Sequence, residues 1–437
     1  MRRGRAWWGL AVAVPALLLG GRGPARAAAP PTFEQVVAQL GSPQAADRLA
    51  ALHLLQETGY REAQVPVAAL LNDPVPAVRL AAIATEMNCF LAEKLVARSH
   101  VALVVEVRNR VGAGAAFDRG PLAVTPQPLD PKVLSGLLIA SADPDPRVAL
   151  EAVYALGVVG PLATGPARDE LVKELGQRVS VLLRSGDAGV RRGALAVLGR
   201  VADRYGAGTS AIAQPVGDAV VSALNDPDAA VRAAAVGTLG QLRYVRAIGA
   251  LTQRYQYYGR GPEAAAALEA LARIAYPTSL PLFQSALTSQ DGDVRAAAVD
   301  GIARLGDAAA VNDVLGQLRT ERDDRVNLAL NFATARTGER VALAPLVSAL
   351  ANPALRASAL ADLLELTATR AADADNWQVA LRSAPPASRL DLVHILGLAG
   401  DTSLVRVLQP LAQDGDARVA AAARLAIDRL QQVPGRP

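Results

Sequence analysis

Asp226-Pro227-Asp228-Ala229-Ala230-Val231-Arg232-Ala233-Ala234-Ala235-Val236-Gly237-Thr238-Leu239-Gly240 is a phrase that the 437-residue chain repeats, in frame, about ten times. Asp73-Pro74…Val78-Arg79, Asp291-Gly292-Asp293-Val294-Arg295, Asp414-Gly415-Asp416-Ala417-Arg418 and Ser42-Pro43…Asp47-Arg48 carry the same frame. With the residue before the Arg counted as zero, the anchors are Asp47, Val78, Val148, Val190, Val231, Val294, Val326, Leu355, Ser388 and Ala417. Position +1 is Arg in eight of the ten, the exceptions being Ala149 and Asn327. Position +4 is Ala in eight: Ala51, Ala82, Ala152, Ala194, Ala235, Ala298, Ala359 and Ala421. Positions +5 and +8 are mostly aliphatic, as in Val153/Leu156 and Leu195/Leu198. Self-similarity of this kind marks a stacked-repeat protein.

Offsets 0, +4, +5 and +8 fall in one stripe of a helix with 3.6 residues per turn, so the stripe is a buried face. A fixed Ala within it lets the neighbouring helix approach to the same distance in every unit. The Asp, Asn or Ser before the stripe is a helix N-cap, and the adjacent Pro stops the preceding helix. Gly157, Gly199, Gly240 and Gly397, all at +9, are expected to end their helices in the left-handed conformation. A second apolar helical run precedes each phrase, for example residues 65–71, 133–138, 216–224 and 343–350. Each unit is therefore helix, turn, helix. Successive anchors lie 31, 70, 42, 41, 63, 32, 29, 33 and 29 residues apart, and each long gap is expected to hold one further repeat. Residues 262–275 would supply it in the gap of 63.

These motifs resemble the HEAT repeat, and more narrowly the bacterial HEAT-like class that also occurs in phycobilisome lyases. The resemblance covers nearly all of residues 32–432, strongly in about seven units. It implies an all-α solenoid of about ten to twelve stacked helical hairpins, an armadillo-like superhelix. It also implies an Asp–Arg ladder joining neighbouring repeats, here through Arg48, Arg79, Arg191, Arg232, Arg295, Arg356, Arg389 and Arg418. A role copied eight times is one that stacking requires.

Residues 1–27 are of another kind. Arg2, Arg3 and Arg5 precede a short apolar run over residues 7–21, and Ala25-Arg26-Ala27 offers a cleavage site after Ala27. This is the pattern of a secretory signal peptide, with a run shorter than the ~20 residues that span a bilayer. The mature chain is expected to be periplasmic or secreted, with no stable membrane span. The whole chain has 45 basic and 41 acidic residues, and the leader holds five Arg and no acid. Its removal brings the charge to about −1, so nothing in bulk charge suggests a nucleic-acid partner. Cys89, the only cysteine, cannot form an intramolecular disulfide and reads as a core residue.

No signature of catalysis, metal or cofactor binding emerges. His53, His100 and His394 stand apart from one another, and the sequence has no nucleophile elbow or phosphate loop. The pairs Asp143/Asp145, Asp226/Asp228, Asp291/Asp293 and Asp414/Asp416 read as helix caps, since no Glu follows at the spacing of a calcium loop. One cluster breaks the periodicity: Arg254-Tyr255-Gln256-Tyr257-Tyr258-Gly259-Arg260, flanked by Tyr244 and Tyr276. Arg254, Tyr255, Tyr257, Tyr258 and Arg260 are the candidate protein-binding residues, because Tyr and Arg dominate binding hot spots. The alternative is that the tyrosines cover a helix end.

The expected organisation is a signal peptide (1–27), repeats over 28–97, a divergent repeat or inserted loop over 98–131, repeats over 132–432 and a disordered tail (433–437). Within the third segment, residues 105–111 alternate loosely like a strand; a divergent helix followed by a long loop is favoured over a hairpin. The expected function is a non-catalytic scaffold that binds a protein partner through its curved surface. The alternatives are an accessory factor, lyase-like, that handles a cofactor or prosthetic group, and a structural subunit of a cell-envelope complex.

Overall fold

The computed structural model describes residues 31–58, 60–92, 112–206, 208, 212–337, 343–399 and 402–432. The leader with its cleavage site at Ala27, the strand-like residues 105–111, His100 and the tail lie outside the described residues.

Eleven helical pairs follow one another among the described residues. They begin with α1 (Phe33–Gln39) and α2 (Ala45–Thr58), then α3 (Gln64–Ala68) and α4 (Pro76–Phe90). A short extra helix, α5 (Ala113–Asp118), precedes α6 (Pro131–Ala140) and α7 (Pro146–Val159). Next come α8 (Gly165–Leu182) with α9 (Ala188–Ala202), and α10 (Gln214–Ser222) with α11 (Ala229–Gln241). The middle holds α12 (Ile248–Tyr258) with α13 (Pro262–Ile274), and α14 (Leu280–Ala286) with α15 (Gly292–Leu305). Then α16 (Ala308–Gln317) pairs with α17 (Asp324–Thr337), and α18 (Ala344–Ala349) with α19 (Arg356–Ala368). The last are α20 (Ala374–Ser383) with α21 (Pro386–Ala399), and α22 (Val405–Leu408) with α23 (Ala417–Gln432). The second helices stack in chain order, α2 on α4, α4 on α7, α7 on α9 and so on to α21 on α23. This is an all-α solenoid, and α13 is the unit expected in the gap of 63.

The local causes are those of the phrase. Asp187 and Asp228 cap α9 and α11, each accepting from two backbone N–H groups of the first turn. The Ala at +4 is buried from Ala51 to Ala359 because the adjacent second helix lies directly on it.

Three expectations need correction. The gap of 70 holds no further repeat in the stack. Arg79 at the start of α4 reaches Asp143 just before α7 at 2.6 and 2.8 Å, which leaves no layer between them. Residues 112–130 instead form α5, packed on α7, and an extended stretch joined to the end of α4 by Ala92 N–H to Ala123 O (2.8 Å) and Thr125 N–H to Phe90 O (2.9 Å).

The +9 glycines do not end their helices either. Gly157, Gly199, Gly240 and Gly397 lie inside α7, α9, α11 and α21, and none has a positive φ. They are points of close approach: a Cβ on Gly240 would sit 2.9 Å from Ala270 Cα, and one on Gly397 2.7 Å from Pro126 Cβ. Helix ends in the left-handed region fall later, at Arg243, Ala275, Gly306 and Arg370.

The last unit is also shifted by two residues. In α23 the buried positions are Val419, Ala423, Ala426 and Leu430, whereas Ala417 and Ala421 face solvent. Asp416 caps the helix by accepting from Arg418 N–H at 2.8 Å, as Asp145 accepts from Arg147 at 2.9 Å. Val419 is therefore the true anchor, and Arg418 precedes it.

The curvature is tight enough to bring distant units into contact. Arg304 of α15 meets Glu365 of α19 at 2.8 Å, Arg243 after α11 lies 4.0 Å from the same carboxylate, and Arg429 of α23 donates to Pro161 O and Leu162 O at 3.4 and 3.3 Å. All these residues sit in or just beyond the last turns of their elements. The C-terminal ends of the second helices thus converge on one another.

Candidate functional site

Two rims and one surface patch hold the side chains that could act. The first rim follows the N-terminal ends of the second helices. There Arg48 pairs through two nitrogens with Asp73 of the next unit (2.7 and 2.9 Å) and donates a third bond to Ser42 O of its own turn at 2.8 Å. Arg191 treats Asp226 (2.8 Å twice) and Ser185 O (2.8 Å) in the same way. Arg295 does so with Glu321 (2.9 and 3.1 Å) and Ser289 O (2.8 Å). Arg79 joins Asp143, and Arg389 joins Asp414 at 3.3 Å. The acceptor carboxylate also takes the N–H two residues on: Asp143 from Asp145, Asp226 from Asp228, Asp414 from Asp416. In these pairs the first Asp receives the arginine and the second caps the helix. The Arg295 bond holds the Glu321 carboxyl down at about 2, and the Arg191 bond lowers that of Asp226.

The rest of the ladder departs from the motif. Arg232 bonds only carbonyls of its own turn, Asp226 O and Pro227 O, because the next turn is Gly259-Arg260-Gly261 and has no acid. Across that joint to the following unit, Gly261 N–H donates to Asp291 at 2.7 Å in place of an arginine. Arg356 reaches Asp391 within α21 at 2.9 Å, not a turn residue. Arg418, with a side chain 78% exposed, pairs with Asp416 of its own cap.

At the converging C-terminal ends, Arg304 is enclosed by three carboxylates. Its side chain is 3% exposed, with Asp300 at 2.9 Å, Glu365 at 2.8 Å and Asp362 at 3.6 Å. Arg336 approaches Glu365 at 3.2 Å, and Arg273 lies 3.6 Å from Asp203. Arg200 stacks 3.5 Å over the Phe117 ring and donates to Phe117 O at 2.6 Å. Burial pushes Asp203, Asp300 and Asp362 up, and Asp300 adds to the shift of Asp362. For Glu365 burial acts in the same direction, but Arg304 and Arg336 outweigh it and hold the carboxyl down. Burial lowers Arg200 and Arg429 to about 10. Between these side chains lies a cavity of about 220 Å³, bounded by Arg200, Asp203, Tyr205, Arg243, Arg273, Arg304 and Glu365.

The tyrosines divide. Tyr244 is buried and donates its hydroxyl to Asp218 at 2.6 Å, and Tyr255 packs against the core. Tyr257 is 84% exposed; Tyr258 meets it edge-on with centroids 5.1 Å apart, and Arg254 lies 5.3 Å from the Tyr258 ring. Arg260 is exposed beside them, and Tyr276 is exposed farther along.

The C-terminal rim escaped the sequence reading, although it left a signal. Offset +10 holds Arg200, Arg304, Arg336 and Glu365, a charged residue at the end of each helix's buried stripe. The N-terminal phrase drew attention because its Arg follows an invariant frame. The +10 residues are three arginines and one glutamate, and only their meeting across the axis gives them a common purpose.

The family model of HEAT repeats matches residues 175–257 and 262–335, and these two stretches are HEAT repeats. No curated protein matches the sequence. Among solved structures, an engineered protein aligns at 18% identity and a TM-score of 0.40 over 92% of this chain and 99% of its own. The CpcE–CpcF complex of phycocyanin lyase from Nostoc sp. PCC7120 aligns at 20% and 0.36, over 60% of this chain and 92% of its own. The E. coli protein YibA aligns at 13% and 0.36, over 71% and 93%.

Proposed function

We propose that this solenoid of HEAT repeats is an exported, non-catalytic scaffold that binds another protein through Arg254, Tyr257, Tyr258 and Arg260. The observation that carries the reading is the exposure of Tyr257, 84%, beside a half-covered Tyr258 and two arginines at the end of α12. Buried tyrosines would be packing; exposed ones next to Arg offer area and hydrogen bonds at low entropic cost. Among the described residues no helix is long and apolar enough to cross a membrane. Export rests on the sequence of residues 1–27 and predicts a natural N-terminus at Ala28 or within a residue or two; intact Met1 on cytoplasmic protein would refute it.

Binding is tested by comparing partner capture by the native chain with capture by Tyr257→Ala/Tyr258→Ala. Affinity should fall by at least about 30-fold, the equivalent of a ~2 kcal/mol hot spot, with helical content kept. Early melting of the variant would make the tyrosines packing residues. Unchanged affinity in a folded variant would place the partner elsewhere.

A further inference from the structure

We propose that the joint between α11 and α13 is an open rung of the ladder that a partner closes: a side-chain carboxylate of an acidic peptide segment pairs with Arg232, and the segment lies along Tyr257, Tyr258 and Arg260. The inference rests on the reading of this solenoid as a protein-binding scaffold and names the chemistry of what it binds.

The rungs follow a fixed spacing. Each bridging arginine finds its carboxylate five residues before the first buried residue of the next second helix: Asp73 before Val78, Asp143 before Val148, Asp226 before Val231, Glu321 before Val326 and Asp414 before Val419. In α13 that buried residue is Ala264, third in its helix as Val231 is in α11, and five residues before it stands Gly259. Arg232 still holds the pose of a bridging arginine. Its Nη1 donates to the carbonyl six residues back, Asp226 O at 2.8 Å, as Arg191 Nη1 does to Ser185 O and Arg295 Nη1 to Ser289 O. In Arg191 and Arg295 the Nε and Nη2 edge takes the carboxylate. In Arg232 the same edge has no hydrogen-bond partner among the described residues. A Cβ on Gly259 would meet no atom within 4 Å, so the space beside the turn is open.

The acids of the adjoining turns are engaged elsewhere. Asp226 takes both nitrogens of Arg191 and the Asp228 N–H, Asp228 caps α11, and Asp291 takes the N–H groups of Gly261 and Asp293. Glu263, in the first turn of α13, is exposed and makes no ion pair among the described residues. The open edge is also continuous with the tyrosines. Arg254 donates to Leu224 O at 3.3 Å, two residues from the carbonyl that Arg232 holds, and lies 5.3 Å from the Tyr258 ring. A carboxylate meeting Arg232 edge-on would make the paired, charge-assisted bonds of the other rungs. Arg232 is half-buried, so salt screens such a pair less than one on the open surface.

The test is fluorescence anisotropy of fluorescein-labelled decaglutamate with the full chain, decaglutamine being the uncharged control. Decaglutamate should bind saturably and decaglutamine should not. Arg232→Gln should weaken decaglutamate at least about tenfold, whereas Arg418→Gln, which removes the same charge from the last unit, should leave it unchanged. Gly259→Asp supplies the carboxylate from within the chain and should weaken decaglutamate likewise; Asp tolerates the positive φ of 70° there better than most side chains. This second variant keeps Arg232 and so decides the matter if Arg232→Gln melts early. No saturable binding of decaglutamate, or equal affinity for the native chain and Gly259→Asp, overturns the proposal. Partner capture that is lost in Tyr257→Ala/Tyr258→Ala but kept in a folded Arg232→Gln also overturns it, and leaves the tyrosine patch standing. Decaglutamate lost in Arg232→Gln but partner capture kept in the tyrosine variant supports the rung and overturns the tyrosine patch instead.

Discussion

At the N-terminal rim Arg48, Arg191 and Arg295 each meet one carboxylate of the next unit and one carbonyl of their own turn, and the carboxylate also takes a backbone N–H. At the C-terminal rim three arginines crowd around Glu365 while the hydroxyl of Tyr205 faces no partner. The residue types are the same and the consequences are opposite. The ladder is a local solution repeated along the stack, in which an arginine and a carboxylate of adjacent units meet. The converging rim is made once, by units far apart in the chain, so no repeat can be adjusted there without disturbing several others.

The largest effect should come from breaking a ladder rung. Asp73→Ala removes both bonds of the buried Arg48 and the acceptor of Val75 N–H, and should cost about 3–5 kcal/mol. Arg418→Ala, at an exposed arginine of the last unit, should stay within about 0.5 kcal/mol. Urea midpoints of the two variants give the contrast directly, and equal midpoints would remove the distinction between bridging and terminal arginines.

A second comparison sets two helix glycines side by side. Gly397→Ala must push against Pro126 and Ala426, where a Cβ would come within 2.7–2.8 Å, and should cost about 1–3 kcal/mol by forcing the extended stretch and α23 away from α21. Gly237 in α11 has nothing within 4 Å, so Gly237→Ala should stabilise by about 0.5–1 kcal/mol. Calorimetric melting temperatures that move in the same direction for both would contradict the role given to the +9 glycines.

The third contrast is in pH dependence, which should have opposite signs at the two rims. The Glu321 carboxyl is lowered from 4.5 to about 2, so its contribution is present above pH 4.5 and lost as pH falls through about 2. Glu321→Gln should therefore destabilise by about 1.5–3 kcal/mol at pH 7 and by nothing at the acid end. Asp362 is raised above 3.8 by burial, so its contribution is full below pH 3.8 and is lost as pH rises through the folded value. Asp362→Asn should accordingly be close to neutral at pH 3 and stabilise at pH 7. Stability–pH curves of the two variants that bend the same way would show that the rims do not differ as described.

Much of this was legible in advance where a residue's environment is supplied by its own unit. Val231, Ala235 and Leu239 are buried as their offsets require, and the Asp–Arg rungs at Asp73, Asp226 and Asp414 lie where the phrase put them. The misreadings share one cause. Gly157, Gly199, Gly240 and Gly397 carry a helix-end signal in sequence, yet they serve contacts with Phe117, Gln241, Ala270 and Pro126, which lie in other units. Arg418 matched the phrase because Arg follows Asp-x-Asp at nearly the same spacing, and only the buried face of α23 reveals the two-residue shift.

The sequence by itself determined the repeat, the helical pairs, their caps and the rungs between them, because helix periodicity and capping act over a few residues and each rung joins adjacent units. Tertiary structure alone decided that Tyr244 is buried while Tyr257 is exposed, and that Arg200, Arg243, Arg304 and Glu365 share one cavity. Those outcomes depend on the curvature of the stack, the sum of small rotations between successive units. No single repeat encodes that sum, so the chain's closure upon itself exists only once all the units are in place.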